Sequence, residues 1–408
     1  MKRWILLFTL LLVSLFFTNT THASMTTIKI EKEATARFYL HNGQQVKYIT
    51  LPKGQTYQAV LQDNQWLLAV GNAHVHINKN HAKPESEKIK VTKNTNKLQL
   101  LTHKAVPVYE SHTKKSKQIA TLAKNTRISS NGVKGNYYEI VVGGKHGYIP
   151  HKSVEIDAGV PVLIYHHFVE NINESVFRDN ISAVDIQSFE QQMSHLKKQG
   201  YVTISLKDLD KWMQKKQALP AKAVALTFDD ANLSVEKMAY PILVEKDLYG
   251  TTFVIGNRVK DKVPKFNAES EIVQFAGFNE LYRMKDRIEV EHHTYSLHVF
   301  NQALRRSQLQ MTSNKDLRRD FELINEVFAQ IDPRIEARYY SYPFGKFNKN
   351  HEAVLIENNI SLAFLNKGGK AKISSPRLYV PRTPVQSTVT LEKFKELVKI
   401  KLMQELLY

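Results

Sequence analysis

The chain contains no cysteine. That excludes disulfide staples and cysteine-bound metal, and leaves core packing to hold the fold together. Beyond residue 17 there is no apolar run of membrane-spanning length. Acidic residues are scarce, 39 against 57 Lys and Arg. Removing residues 1–23 takes away Lys2 and Arg3 and no acid, so 55 basic residues face 39 acidic ones, a net +16. Such a balance points to an anionic partner. No zinc-finger, basic-zipper or RNA-binding aromatic signature accompanies it, so nucleic acid is not expected. Anionic cell-wall polymers or a membrane surface fit better. The charge reads as spread along the chain, and a monomer is expected.

What is present begins with Lys2 and Arg3, then the apolar run 4–17, then small and polar residues up to Ala23. A charged start, a greasy centre and a small-residue end read as an export signal over 1–23, which implies a secreted or wall-associated protein. A retained membrane anchor is the other reading, although the run is short for a full span. Residues 25–156 are β-rich and repeat faintly at an offset of about seventy residues. Tyr48–Leu51 and Trp66–Gly71 mark the first copy; Ile119–Leu122 and Tyr138–Gly143 mark the second. The expected division is a small β domain over 25–80, a polar linker over 81–96, and a second β domain over 97–156. These domains serve either glycan binding or spacing.

From residue 157 to 408 strands and helices alternate, the texture of an α/β domain. Strands are expected over 160–166, 223–228, 250–255, 287–291, 338–342 and 360–365, and amphipathic helices over 185–200, 234–246, 314–330 and 391–407. So many units in series favour a barrel. The most informative stretch is 222–230, KAVALTFDD. Its apolar run reads as a strand buried on both faces, as in parallel sheets. Ligands gather beyond the carboxyl ends of such strands, where Asp229 and Asp230 arrive together. Paired carboxylates repel unless a cation or a shared proton uses them; the alternative is a pair of acidic helix caps.

A second cluster, EHHTYSLH over 291–298, also follows a strand. His293 and His298 are five apart and share no helical face, yet a turn can bring both to one ion. Two imidazoles, one carboxylate and an open position make the catalytic zinc pattern. Lone histidines are more often surface or core residues, and sixteen of them make chance clusters common.

TFDD followed by His-Thr-x-x-x-His resembles the polysaccharide deacetylase family, carbohydrate esterases with a deformed (β/α) barrel. The strand ending Tyr165–His166 is similar to the branch that deacetylates poly-N-acetylglucosamine. The resemblance covers roughly residues 160–385. It implies Asp229 as catalytic base, Asp230, His293 and His298 as ligands of a divalent metal, expected to be Zn2+, and His166 as the acid that protonates the leaving amine. Residues 341–345, SYPFG, resemble the motif that frames the acetyl group, with Tyr342 lining it and the Phe344 N–H at the oxyanion. Many relatives carry Arg at the position of Ser341, and Arg382, in Pro381–Arg382, is expected to take over the task of steadying the base. Ala231 stands where Gly is commoner and Ser296 where Asp is common. The implied activity is removal of acetyl groups from an acetylated glucosamine polysaccharide. The alternatives are deacetylation of peptidoglycan, chitin or xylan, or a wall-binding protein without turnover. The second β copy, ending in HGYIP, resembles bacterial SH3-like domains.

Overall fold

The computed structural model describes residues 24–86, 89–268 and 270–400. The expected export signal and the last residues of the expected C-terminal helix lie outside them. Among the described residues no helix is long and apolar enough to cross a membrane.

Residues 26–156 are all β, and the two copies fuse into one body instead of standing apart. Thr50 pairs antiparallel with Thr121, and Val70 with Val142. Each pair joins positions 71 or 72 residues apart, so equivalent strands of the two copies pair with each other. The result is a single 12-stranded sheet with a three-stranded one beside it. The Tyr48 hydroxyl donates across the join to the Arg127 carbonyl (2.9 Å), and the Tyr57 hydroxyl to that of Ile119. Strand Ala82–Pro84 pairs with Thr26–Ile30, so the first copy runs to Pro84 and the expected linker over 81–96 starts too early.

The second half is built on parallel strands. They are β1 (Val160–Tyr165), β2 (Ala223–Asp230), β3 (Gly250–Val254), β4 (Ile288–His292), β5 (Tyr339–Ser341) and β6 (Leu362–Phe364), side by side in that order. A seventh, β7 (Thr383–Pro384), runs parallel to β1, while Val380 bridges Phe364 of β6. Leu365 N–H donates to the Val380 carbonyl, and Val385 N–H to that of Ile164. Residues 380–385 therefore tie the two edges of the curled sheet. Apart from the single turn Gln308–Met311, the α-helices are α1 (Ile186–Lys198), α2 (Leu206–Met213), α3 (Tyr240–Lys246), α4 (Phe278–Met284), α5 (Asn314–Ile331), α6 (Glu352–Glu357) and α7 (Leu391–Val398). The helix expected over 234–246 opens as a π-helical turn, Val235–Ala239, before continuing as α3.

The uniform apolarity of β2 has a simple cause. Val224, Leu226 and Phe228 point outward beneath α1 and α3, against Phe189, Met193 and Leu243. Ala223 and Ala225 point inward, in one core with Val162, Phe253, Leu362 and Val380. That inner core continues without a break into the β body through Leu206, Leu209 and Trp212. Burying each such side chain contributes about 1.5–3 kcal/mol. Fully buried Arg127, from the β body, adds a salt bridge to Asp157 at 2.7 Å and donates to the carbonyls of Pro220 and Ala221. The β body thus closes the amino end of the parallel strands and leaves their carboxyl ends free.

Candidate active site

Strand phase delivers the site. Residues 225, 227 and 229 of β2 share the inward face, so Asp229 enters the interior at the carboxyl end and is 3% exposed. Asp230 would then face outward, but it and Ala231 adopt left-handed backbone, φ 75° and 57°. This turn keeps the second carboxylate at the mouth. Left-handed geometry costs a non-glycine residue of order 1–3 kcal/mol and clusters at functional sites. Thr294 (φ 70°) and Phe344 (φ 59°) repeat the pattern beside the other two motifs. Gly256 is needed here as well: a Cβ would lie 2.8 Å from the Tyr295 ring.

The same phase separates the adjacent histidines. His292 turns outward between Phe321 and Phe328, and burial pushes it down to about 3, so it is a neutral core residue. His293 turns inward, and its Nδ1 donates to the Ser341 carbonyl at 2.8 Å, which leaves the Nε2 lone pair facing the mouth. His293 Nε2 and His298 Nε2 each lie 3.4 Å from Asp230 Oδ1. That carboxylate oxygen is buried and accepts no hydrogen bond. Three ligand atoms at about 2.1 Å from a tetrahedral ion stand about 3.4 Å apart, so the spacing fits a divalent cation. Among the described residues, these three form the one group of His, Asp and Glu side chains arranged to hold an ion. Burial and the neighbouring His293 lower His298 to about 4, leaving it neutral, as a ligand must be. Burial would raise the Asp230 carboxyl, but His293 and His298 override it and hold it well below the usual range.

Asp229 stands beside this cluster, its Oδ2 3.9 Å from His293 Nε2. Arg382, fully buried on the closing segment, grips it with two hydrogen bonds of 2.8 Å, Nη1 to Oδ1 and Nη2 to Oδ2. The Ser341 hydroxyl donates to the same Oδ2 (3.1 Å) and receives Arg382 Nη2 (2.7 Å). A hydroxyl from β5 and a guanidinium from the closing segment therefore steady the Asp229 carboxylate together. Burial favours the neutral acid, but Arg382 and then His293 outweigh it and hold Asp229 at about 2. His166, half-buried at the end of β1, lies close enough for its charge to favour both carboxylates. His167 turns away: it is buried, with Nδ1 3.0 Å from the Ser234 hydroxyl.

Two expectations for the acetyl-framing motif part company. The Phe344 ring is 40% exposed and lies 4.4 Å from His298. Tyr342 does not reach the mouth; its ring is 2% exposed and packed among Tyr340, Phe347 and Tyr379, which corrects its assignment to the substrate. Sequence reasoning also missed Asp320 on α5. Its carboxylate accepts the N–H groups of Tyr295 (2.7 Å) and Ser296 (2.9 Å) and so fixes the turn between the two histidines. The available signal was an acid on the otherwise apolar face of α5. Glu291 does similar work for β5, accepting the N–H groups of Arg338 and Tyr339 at 2.8 Å each.

Residues 216–363 match the family described as polysaccharide deacetylase. The poly-beta-1,6-N-acetyl-D-glucosamine N-deacetylase of Staphylococcus epidermidis is 23% identical over 235 residues, 57% of this chain and 76% of its own. Its counterpart in Staphylococcus aureus is 24% identical over 221 residues, 53% of this chain and 71% of its own. The fold is similar to the structure of IcaB from Ammonifex degensii, with a TM-score of 0.50 and 21% identity over 59% of this chain and 97% of that one. Within the α/β half, residues 216–363 thus form a polysaccharide deacetylase family-model domain, the domain of a hydrolase.

Proposed function

We propose that this chain is a metal-dependent N-deacetylase of a β-1,6-linked N-acetylglucosamine polymer, acting outside the cell. The observation that carries the reading is the meeting of Asp230, His293 and His298 at ion-ligand spacing beside a buried carboxylate that binds no ligand position of its own. The polymer is that named for the staphylococcal relatives, and the export signal over 1–23 supports the location. A divalent cation, in our reading Zn2+, would be held by those three side chains; once bound it supplies Lewis acidity, polarising the acetyl carbonyl and acidifying a water.

The chain's own groups do the rest. Asp229, kept ionised by Arg382, receives the proton of the attacking water. The Phe344 N–H faces the oxygen that gains charge; losing one such donor costs about 2.7–4 kcal/mol of transition-state stabilisation. His166 gives a proton to the departing amine, because an amide nitrogen leaves poorly as an anion. Acetate and a glucosamine unit result. The β body, read as paired SH3-like repeats, serves location. Acetate release from matched oligomers of β-1,6- and β-1,4-linked N-acetylglucosamine and from acetylated xylan tests the substrate. The β-1,6 series should be fastest, and a clear preference for either of the others would replace this reading.

A further inference from the structure

The excess positive charge is not evenly spread once the boundary between the halves is drawn, contrary to the reading from the whole sequence. Residues 24–156 hold 20 Lys and Arg against 8 Asp and Glu, a net +12. Residues 157–408 hold 35 against 31, a net +4. The third of the chain that contributes nothing to the metal cluster or to Asp229 thus carries most of the charge.

Part of that charge stands around a strip of tyrosines. Strands Gly132–Lys134, Tyr137–Val142, Lys145–Pro150 and Val106–Tyr109 lie side by side in that order. Tyr148 is paired with Tyr109 on one side, and Tyr137 with Lys134 at the other end of the strip. The Lys134 ammonium lies 5.8 Å from the centre of the Tyr148 ring, with His112 at 5.9 Å and His146 at 6.5 Å. Tyr109 and Tyr137 meet edge to face at 6.5 Å, both half-buried. The adjoining hairpin presents Lys114, Lys115 and Lys117, all exposed. Two acids stand among them: Glu139, held by His146 at 2.8 Å, and exposed Glu110, whose N–H donates to the Lys117 carbonyl. The packing between the two halves uses other residues, such as Arg127 and Asn72.

Tyr148 is 8% exposed, so Tyr109 and Tyr137 offer the open ring surface. Ammonium groups beside these half-exposed rings suit a flexible polyanion, whose charges meet the lysines while its carbon backbone lies on the rings. The enzyme's own polymer is a poor match. Its acetylated units are uncharged, and each deacetylation adds a positive amine that a +12 region repels. We infer that this face docks a linear polymer of sugar or polyol phosphates, which holds the catalytic half beside a neutral substrate while its cationic product is driven off. The choice of ligand rests on the deacetylase reading.

The test is binding of residues 24–408 to soluble poly(glycerol phosphate) at 50 and 200 mM salt, read without turnover. Affinity should fall about tenfold or more between the two, as counterion release requires. Lys114→Glu, Lys115→Glu and Lys134→Glu together should weaken binding about tenfold or more at 50 mM salt, with melting temperature and acetate release from short oligomers unchanged. Tyr137→Ala should weaken binding several-fold without altering the salt slope. No binding at 50 mM salt, or wild-type binding by the triple variant, would overturn the inference. So would tighter binding to single-stranded DNA of equal charge, or capture by phosphatidylglycerol vesicles that the soluble polymer does not compete away. Failure to release acetate from any oligomer would instead overturn the deacetylase reading and leave the binding isotherm intact.

Discussion

Replacing Arg382 with Met keeps most of the volume and removes the charge that faces Asp229. Arg382 makes both 2.8 Å hydrogen bonds to that carboxylate, and neither residue has appreciable contact with water. Removing one partner of a buried pair typically costs about 3–5 kcal/mol, because the other charge is left uncompensated. The variant can avoid part of this cost by protonating Asp229, since burial alone raises that carboxyl. A protonated Asp229 cannot accept a proton from water, so turnover should drop by about 10²–10⁴-fold, the usual contribution of a general base.

The pH dependence carries the sign. In the wild type Asp229 is depressed to about 2, so its contribution to stability is fully present above the unfolded value near 4 and is lost as pH falls towards 2. In the variant the folded-state value is raised instead. The folded protein then binds the proton more tightly, and stability should increase as pH falls from 7 towards 5. Urea unfolding of the metal-stripped protein at pH 7 and 5 reads this directly. Removing both charges, with Asp229→Asn and Arg382→Met, should recover much of the lost stability and none of the activity. Wild-type stability and turnover in Arg382→Met, or a double variant less stable than the single one, would refute the reasoning.

Further expectations can be checked on single variants. Asp320→Ala frees the Tyr295 and Ser296 N–H groups and should weaken metal affinity by about 10–100-fold, the usual effect of losing support behind a ligand, measured by competition with a chelating dye. Ala231→Gly removes a Cβ from a left-handed residue and should stabilise the fold by about 1 kcal/mol in urea, with metal content unchanged. His166→Ala should keep its metal and lose about 10²–10⁴-fold in amide hydrolysis, while an aryl acetate, whose leaving group needs no proton, is spared; equal losses on both would remove the assigned role. Arg127→Met should cost about 3–5 kcal/mol by stranding Asp157 between the two halves, with normal turnover in the protein that remains folded.

Much of the α/β half was legible because local physics and tertiary demands agree there. The run ending in Asp229 is apolar on both faces because helices cover one and the closed interior the other. Alternation along β4 separates His293 from His292 without any motif. What was not legible depends on pairings distant in sequence. Arg382 was placed beside Asp229 by the family resemblance alone, since it meets that carboxylate from 153 residues away, where residues 380–385 bridge the two edges of the sheet. Asp320 reads as one more helix acid until α5 packs against the histidine turn. Tyr342 was misassigned because a short segment around a proline hides which side chains turn inward; the ring next to the exposed Phe344 ended in the core. The fusion of the β copies escaped notice for a related reason, since each strand alternates in the same way whether it pairs within its own copy or with the other.

The central claim is that acetyl removal depends on an ion held by Asp230, His293 and His298. Its most direct test is acetate release from a β-1,6-linked N-acetylglucosamine oligomer by protein stripped with chelator and then titrated with Zn2+. The rate should begin near zero and level off at one ion per chain, and His293→Ala with His298→Ala should abolish both the tight binding and the recovery. Acetate release at full rate by the metal-free protein, or a titration unchanged in that double variant, would contradict the account.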